Sequence, residues 1–149
     1  MDLILWRHAD AEDGVPDLER RLTPKGRRQA ERMAAWLERE LPRDCRVLVS
    51  PATRAQQTAL ALQRPSTTVD ALAPGASVDD ILDAVAWPDA SASVLVVGHQ
   101  PTLGEVVGFL AGGGRDHAIR KAAVCWLTER VSDGGREVVV KTMVTPDSV

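Results

Sequence analysis

The chain has 149 residues, 44% hydrophobic and 26% charged, with a formal net charge of −3. That length suits a single domain over residues 1–149 and lets folding bury roughly two-thirds of the unfolded surface, so no disulfide or structural metal is needed. The small negative charge argues against a nucleic-acid binder driven by phosphate attraction. No long stretch combines low hydrophobicity with one sign of charge, which argues against disorder.

The two cysteines, Cys45 and Cys125, stand in no CxxC or CxxH spacing, so a zinc site or disulfide framework has little support. The first residues, Met-Asp-Leu-Ile-Leu-Trp-Arg, hold an acid and too short an apolar run for a signal peptide or a membrane span. A reducing, cytoplasmic setting follows as the expectation, with no membrane association.

Apolar runs alternate with helical patterns along the chain, which predicts an α/β fold: a three-layer sandwich with a mostly parallel central sheet and helices on both faces. Leu3-Ile4-Leu5-Trp6 is a continuous apolar run, as in a strand buried on both faces. Thr23-Pro24 opens a helix as N-cap and first residue. Ala30, Met33, Ala34, Leu37 and Leu41 follow at helical spacing until Pro42. Residues 46–50 read as a second strand. Ser50-Pro51 repeats the cap-plus-proline signal before a small-residue stripe, Ala52, Ala55, Ala59 and Leu62. Residues 67–69 are a weaker strand, and residues 78–85 a short helix after the Pro74, Gly75, Ser77 loop. Residues 93–98 form the strongest strand pattern, followed by a helix over residues 101–110 and a flexible Gly112-Gly113-Gly114. Residues 122–130 and 136–144 read as a hairpin around Asp133-Gly134-Gly135. Trp6, Trp36, Trp87 and Trp126 read as packing residues.

Ligands of open α/β sheets bind beyond the carboxyl ends of the strands. Arg7 and His8 follow the first strand, Arg54 lies in the first turn after the second, and His99 follows the strongest one. Two of three histidines and two of fifteen arginines therefore converge on one sheet edge. Such a set suits a phosphoryl group, because guanidinium forks bind its oxygens and helix N-termini add amide donors. His117 lies in a glycine-rich loop and needs no role.

These residues carry a resemblance. Arg7-His8-Ala9 resembles the Arg-His-Gly signature of the histidine phosphatase superfamily, with alanine in place of the usual glycine. Arg20-Arg21-Leu22-Thr23-Pro24-Lys25-Gly26 is similar to its Arg-x-Leu-Thr-x-x-Gly segment. Ser50-Pro51-x-x-Arg54-Ala55-x-Gln57-Thr58 resembles its Ser-Pro-x-x-Arg-x-x-x-Thr segment, and Val97-Gly98-His99 matches its second histidine. The short chain is most similar to the small bacterial phosphohistidine phosphatases of the SixA group.

The resemblance implies a phosphoglycerate-mutase-like fold and a metal-independent phosphatase without cofactors. His8 would attack phosphorus, while Arg7, Arg54 and His99 hold the phosphoryl oxygens. The implied partner is a phosphorylated histidine-containing phosphotransfer or phosphocarrier protein, with a monomer as the expected state. Arg20 has two readings: a salt bridge to Asp17, which is favoured, or a secondary contact to substrate phosphate or to an acidic partner surface. No proton donor stands out. Asp70, Asp10, Glu12, Asp13 and Asp17 are candidates, and their weakness favours a phosphoramidate over an alcohol ester. Competing readings are a phosphatase of small phosphomonoesters or nucleotide-type phosphates, a phosphate-binding module without turnover, and a metal site at His8, Asp10 and His99. Two arginines disfavour the last, since they repel a cation.

Overall fold

The structure, a computed structural model, describes residues 1–112 and 117–149. Its six-stranded sheet runs in the order β3-β2-β4-β1-β5-β6. The strands are β1 (Asp2–Arg7), β2 (Arg46–Val49), β3 (Thr67–Thr68), β4 (Val94–Gly98), β5 (Val124–Ser132) and β6 (Gly135–Val144). The first four are mutually parallel, whereas β5 lies antiparallel to β1 and β6 antiparallel to β5. The helices are α1 (Pro24–Glu40), α2 (Thr53–Leu60), α3 (Val78–Ala84) and α4 (Thr102–Leu110). The α/β sandwich expected from the alternating pattern is therefore present.

The period of two along a strand sends alternate residues to opposite faces. Ile4, Trp6, Val47, Val49, Leu95 and Val97 pack under α1 and α2, against Ala30, Met33, Leu37, Ala55 and Ala59. Leu3, Leu5, Leu48, Val94 and Val96 pack on the other face against Ile81, Leu103, Val106 and Val107. Two apolar cores on one sheet explain why β1 and β4 read as unbroken hydrophobic runs. Trp6 and Trp126 are buried, and Trp36 and Trp87 are half-buried against the two cores. Cys45 and Cys125 are free and buried, and burial pushes both thiols up to about 11.

Several local readings shift. Thr23 caps α1 as expected, its side chain accepting from the Gly26 amide. Ser50, by contrast, is not the cap of α2: the N-cap is Ala52, and the helix opens at Thr53. Pro101 caps α4 rather than starting it. The hairpin is longer than its pattern, because β5 extends to Ser132 and β6 begins at Gly135. Gly135 takes a positive φ at that turn, a conformation glycine adopts without penalty. Of the glycine run, residues 113 and 114 lie outside the described residues. No helix among the described residues is long and apolar enough to cross a membrane.

Candidate active site

His8 is the first residue beyond β1, and the backbone ladder continues through it. Its amide donates to the Gly98 carbonyl at 3.0 Å, and its carbonyl accepts from the Ala122 amide at 3.1 Å. The residue is thereby gripped by the last residue of β4 on one side and by the segment leading into β5 on the other. Its imidazole Nδ1 lies 2.8 Å from the Ala9 carbonyl oxygen. A carbonyl only accepts, so Nδ1 carries the proton and Nε2 keeps a free lone pair. The side chain is only 8% exposed. Burial first, opposed by the Ala9 bond and reinforced by the charges of Arg54 and Arg7, pushes its pKa down to about 4. At neutral pH His8 is an uncharged base with one open nitrogen.

His99 follows β4, and its ring stands 5.2 Å from that of His8, centroid to centroid, tilted by 51°. It is 5% exposed. Burial, then the proximity of His8, pushes it down to about 3. Its Nε2 lies 2.7 Å from Ser50 Oγ, while Nδ1 is buried and has no partner among the described residues.

Arg54 sits in the first turn of α2 and is 4% exposed. Its Nη1 donates to the Asp17 carbonyl oxygen at 2.8 Å and its Nη2 to Asp17 Oδ2 at 3.1 Å. The other carboxylate oxygen of Asp17 accepts from Arg20 Nη1 at 3.1 Å, and Arg20 Nε donates to the Glu12 carbonyl at 2.7 Å. The salt bridge read for Arg20 is therefore present, but it has a second arm. Asp17 joins Arg20 to Arg54 and seats the loop of residues 10–22 on the site. Arg7 ends β1 and donates from Nη1 to the Ile119 carbonyl at 3.0 Å. The Nε atoms of Arg7 and Arg54 are both buried without partners among the described residues. Beside Arg7 opens a cavity of about 320 Å³, also lined by Gln29, Arg120 and Lys121.

Residues outside the quartet of Arg7, His8, Arg54 and His99 hold these elements together. Thr58 Oγ1 accepts from the Ala9 amide at 3.0 Å and donates to the Arg54 carbonyl at 2.7 Å, tying the His8 turn to α2. Gln57 accepts from the Leu22 amide, and Gln29 from the Asp10 amide. A Cβ at Gly26 would overlap the Asp10 carbonyl oxygen, so only glycine lets α1 approach the loop this closely. The alanine at position 9 is accommodated: its methyl is buried in the core under α1 and α2.

The acidic candidates separate. Asp10 Oδ2 accepts from Thr23 and Oδ1 from Lys121, and these bonds hold its carboxyl below the ordinary range. Asp17 is held low by the Arg20 bond first and then by Arg54. A carboxyl so stabilised as its anion is a poor proton donor at neutral pH. The side chains of Glu12, Asp13 and Asp70 make no hydrogen bond to His8, Arg7, Arg54 or His99. Asp10 is turned to Thr23 and Lys121 rather than to the histidines, and the described residues hold no cluster of three metal-ligating side chains.

The second arm of Asp17 and the bond from Ser50 to His99 escaped the sequence reading. Each depends on which strands and loops become neighbours. Ser50 directly follows a strand, as His99 does, but nothing in the chain says that β2 and β4 lie side by side.

A family model of the histidine phosphatase superfamily, branch 1, matches residues 3–73. The phosphohistidine phosphatase SixA of Escherichia coli is 32% identical over 145 residues, covering 91% of this chain and 89% of its own. The SixA homolog of Haemophilus influenzae is 28% identical over 98% of this chain and 97% of its own. Among solved structures, the protein histidine phosphatase SixA complexed with tungstate superposes with a TM-score of 0.83 at 28% identity, covering 99% of this chain and 98% of that one. Motifs, sheet order and these likenesses agree: the chain belongs to the histidine phosphatase superfamily, branch 1, in its SixA-like group.

Proposed function

We propose that this phosphatase removes phosphoryl groups from phosphohistidine in a partner protein, a histidine-containing phosphotransfer or phosphocarrier protein. The observation that carries the reading is the protonation of His8. Donation from Nδ1 to the Ala9 carbonyl leaves Nε2 unprotonated, in a buried ring that stays neutral at pH 7. In the first step Nε2 attacks phosphorus in line, the bond from phosphorus to the substrate imidazole breaks, and the departing nitrogen takes up a proton from solvent. Water then attacks the phosphohistidine on His8, releasing inorganic phosphate and restoring the free imidazole. Arg7, Arg54 and His99 stabilise the charge on the phosphoryl oxygens through donors already in place.

The state of the acids supports a phosphoramidate substrate. Asp10 and Asp17 are both committed to cationic or hydroxyl partners as anions. An alcohol leaving group needs a strong proton donor, whereas an imidazole accepts a proton readily at neutral pH. The likeness to SixA proteins points the same way.

Phosphoenzyme trapping tests the reading. Wild type and His8→Ala are incubated with a labelled phosphohistidine protein and quenched in alkali. Alkali-stable, acid-labile label on the enzyme, absent in His8→Ala, is the expected result. Turnover confined to sugar phosphates, nucleotides and p-nitrophenyl phosphate would replace it with the small-ester reading. Phosphate binding with no turnover at all would leave a binding module.

A further inference from the structure

Ser50 is fully buried at the end of β2, and its hydroxyl has two neighbours. The Ala52 amide donates to Oγ at 3.2 Å, and His99 Nε2 lies 2.7 Å away. We infer that Ser50 sets the tautomer of His99: its hydroxyl donates to Nε2, so the imidazole proton resides on Nδ1 as a donor for a phosphoryl oxygen.

A serine hydroxyl has one proton to give. Ala52 offers only an N–H, so among the described residues the one acceptor within reach is the Nε2 lone pair. The reverse arrangement, with Nε2–H donating to Oγ, leaves the buried serine proton without an acceptor, whereas Nδ1 has no partner among the described residues in either tautomer. Folded proteins avoid such unpaired groups. It would also present a lone pair to an anion. In the assigned tautomer the single open atom of the ring is an N–H. Burial beside His8 keeps the ring from taking a second proton at neutral pH.

The two histidines then carry their protons on the same ring position yet expose opposite chemistry. His8 spends its Nδ1–H on Ala9 and leaves a lone pair at Nε2. His99 has its Nε2 lone pair occupied by Ser50 and leaves a proton at Nδ1. One ring is prepared as nucleophile, the other as oxyanion donor. Ser50 acts through His99, as a positioning residue.

The consequence for turnover rests on the phosphatase reading above, but the first readout does not. Long-range ¹H–¹⁵N spectra of ¹⁵N-labelled protein at pH 7 distinguish the two neutral tautomers, with His99→Gln used for assignment. The expected result is an Nδ1-protonated His99 in wild type and a population of the Nε2-protonated form in Ser50→Ala. Ser50→Ala should also lose about tenfold in kcat, by analogy with the roughly 10–100-fold loss when the hydrogen-bond partner that orients a metal-binding histidine is removed. His8 should still become phosphorylated, and Ser50→Thr, which keeps the hydroxyl, should recover most of the rate. An Nε2-protonated His99 in wild type would overturn the inference, even if Ser50→Ala proved too unstable to study. So would wild-type tautomer and kcat in Ser50→Ala. Absence of phosphatase activity in wild type would instead overturn the phosphatase reading and leave the tautomer to be decided by the spectrum.

Discussion

The two sides of the site are built by different physics. On one side, His8 and His99 follow adjacent parallel strands, are almost wholly buried, and are kept neutral by desolvation. On the other, the loop of residues 10–22 is mostly exposed and carries ion pairs beside its neutral hydrogen bonds: Asp17 between Arg20 and Arg54, and Asp10 on Lys121. Packing positions the groups that must not move during bond breaking. Of the ion pairs on the loop side, the more exposed ones, Asp17 with Arg20 and Asp10 with Lys121, hold weakly, since exposed pairs contribute only about 0–1 kcal/mol. Arg54 belongs to both sides, buried on α2 yet tied to the loop through Asp17.

Breaking the strand side should cost most. His8→Ala is expected to lower turnover by about 10³-fold or more, as loss of a nucleophile does, and to abolish the phosphoenzyme. Arg54→Ala should cost about 10²–10³-fold in kcat, the scale for one preorganised donor, and should free the loop at Asp17. Steady-state kinetics on a phosphohistidine protein checks both.

The pH profile sharpens the contrast. Because His8 is pushed down to about 4, kcat/KM should stay level from pH 7 to about 5 and fall only near pH 4. A loop-controlled nucleophile with an ordinary imidazole would begin to lose activity near pH 6.5. Stability has a related sign. Both histidines bind protons more weakly folded than unfolded, so their contribution is complete above about pH 6.5. It is lost progressively as pH falls towards 4 for His8 and 3 for His99. Denaturant titrations of wild type between pH 7 and 4 should show that loss, and His99→Gln should reduce it.

Gly26→Ala tests the seam between the two sides. Its methyl would meet the backbone of Asp10 rather than a flexible side chain, so a loss of about 1–3 kcal/mol is expected, measurable as a lowered Tm. Arg20→Ala should have the smallest effect: under about 1 kcal/mol in stability and a modest rise in KM that added salt narrows. A hundredfold loss of kcat in Arg20→Ala would place Arg20 among the groups that touch phosphate.

The order of helices and strands was legible in the chain because burial leaves periodic signatures. Two apolar strands covered on both faces, a capped amphipathic α1 and a small-residue α2 cannot be written another way without losing their cores. The convergence of Arg7, His8, Arg54 and His99 was legible for a related reason: each ends a strand, directly follows one or opens the helix behind it, and parallel strands deliver such positions to one edge. The sheet order was not written locally, because placing β4 between β1 and β2 depends on pairing across distant segments. Tertiary structure alone therefore decided the bonds that cross that order. Ser50 reads as a helix cap by itself and becomes the partner of His99 only when β2 lies beside β4. Asp17 reads as a local partner of Arg20 and becomes the anchor of Arg54 only when the loop folds over α2. Proximity in sequence determines propensity and caps, whereas the protonation of a buried ring is determined by whichever groups the fold brings against it.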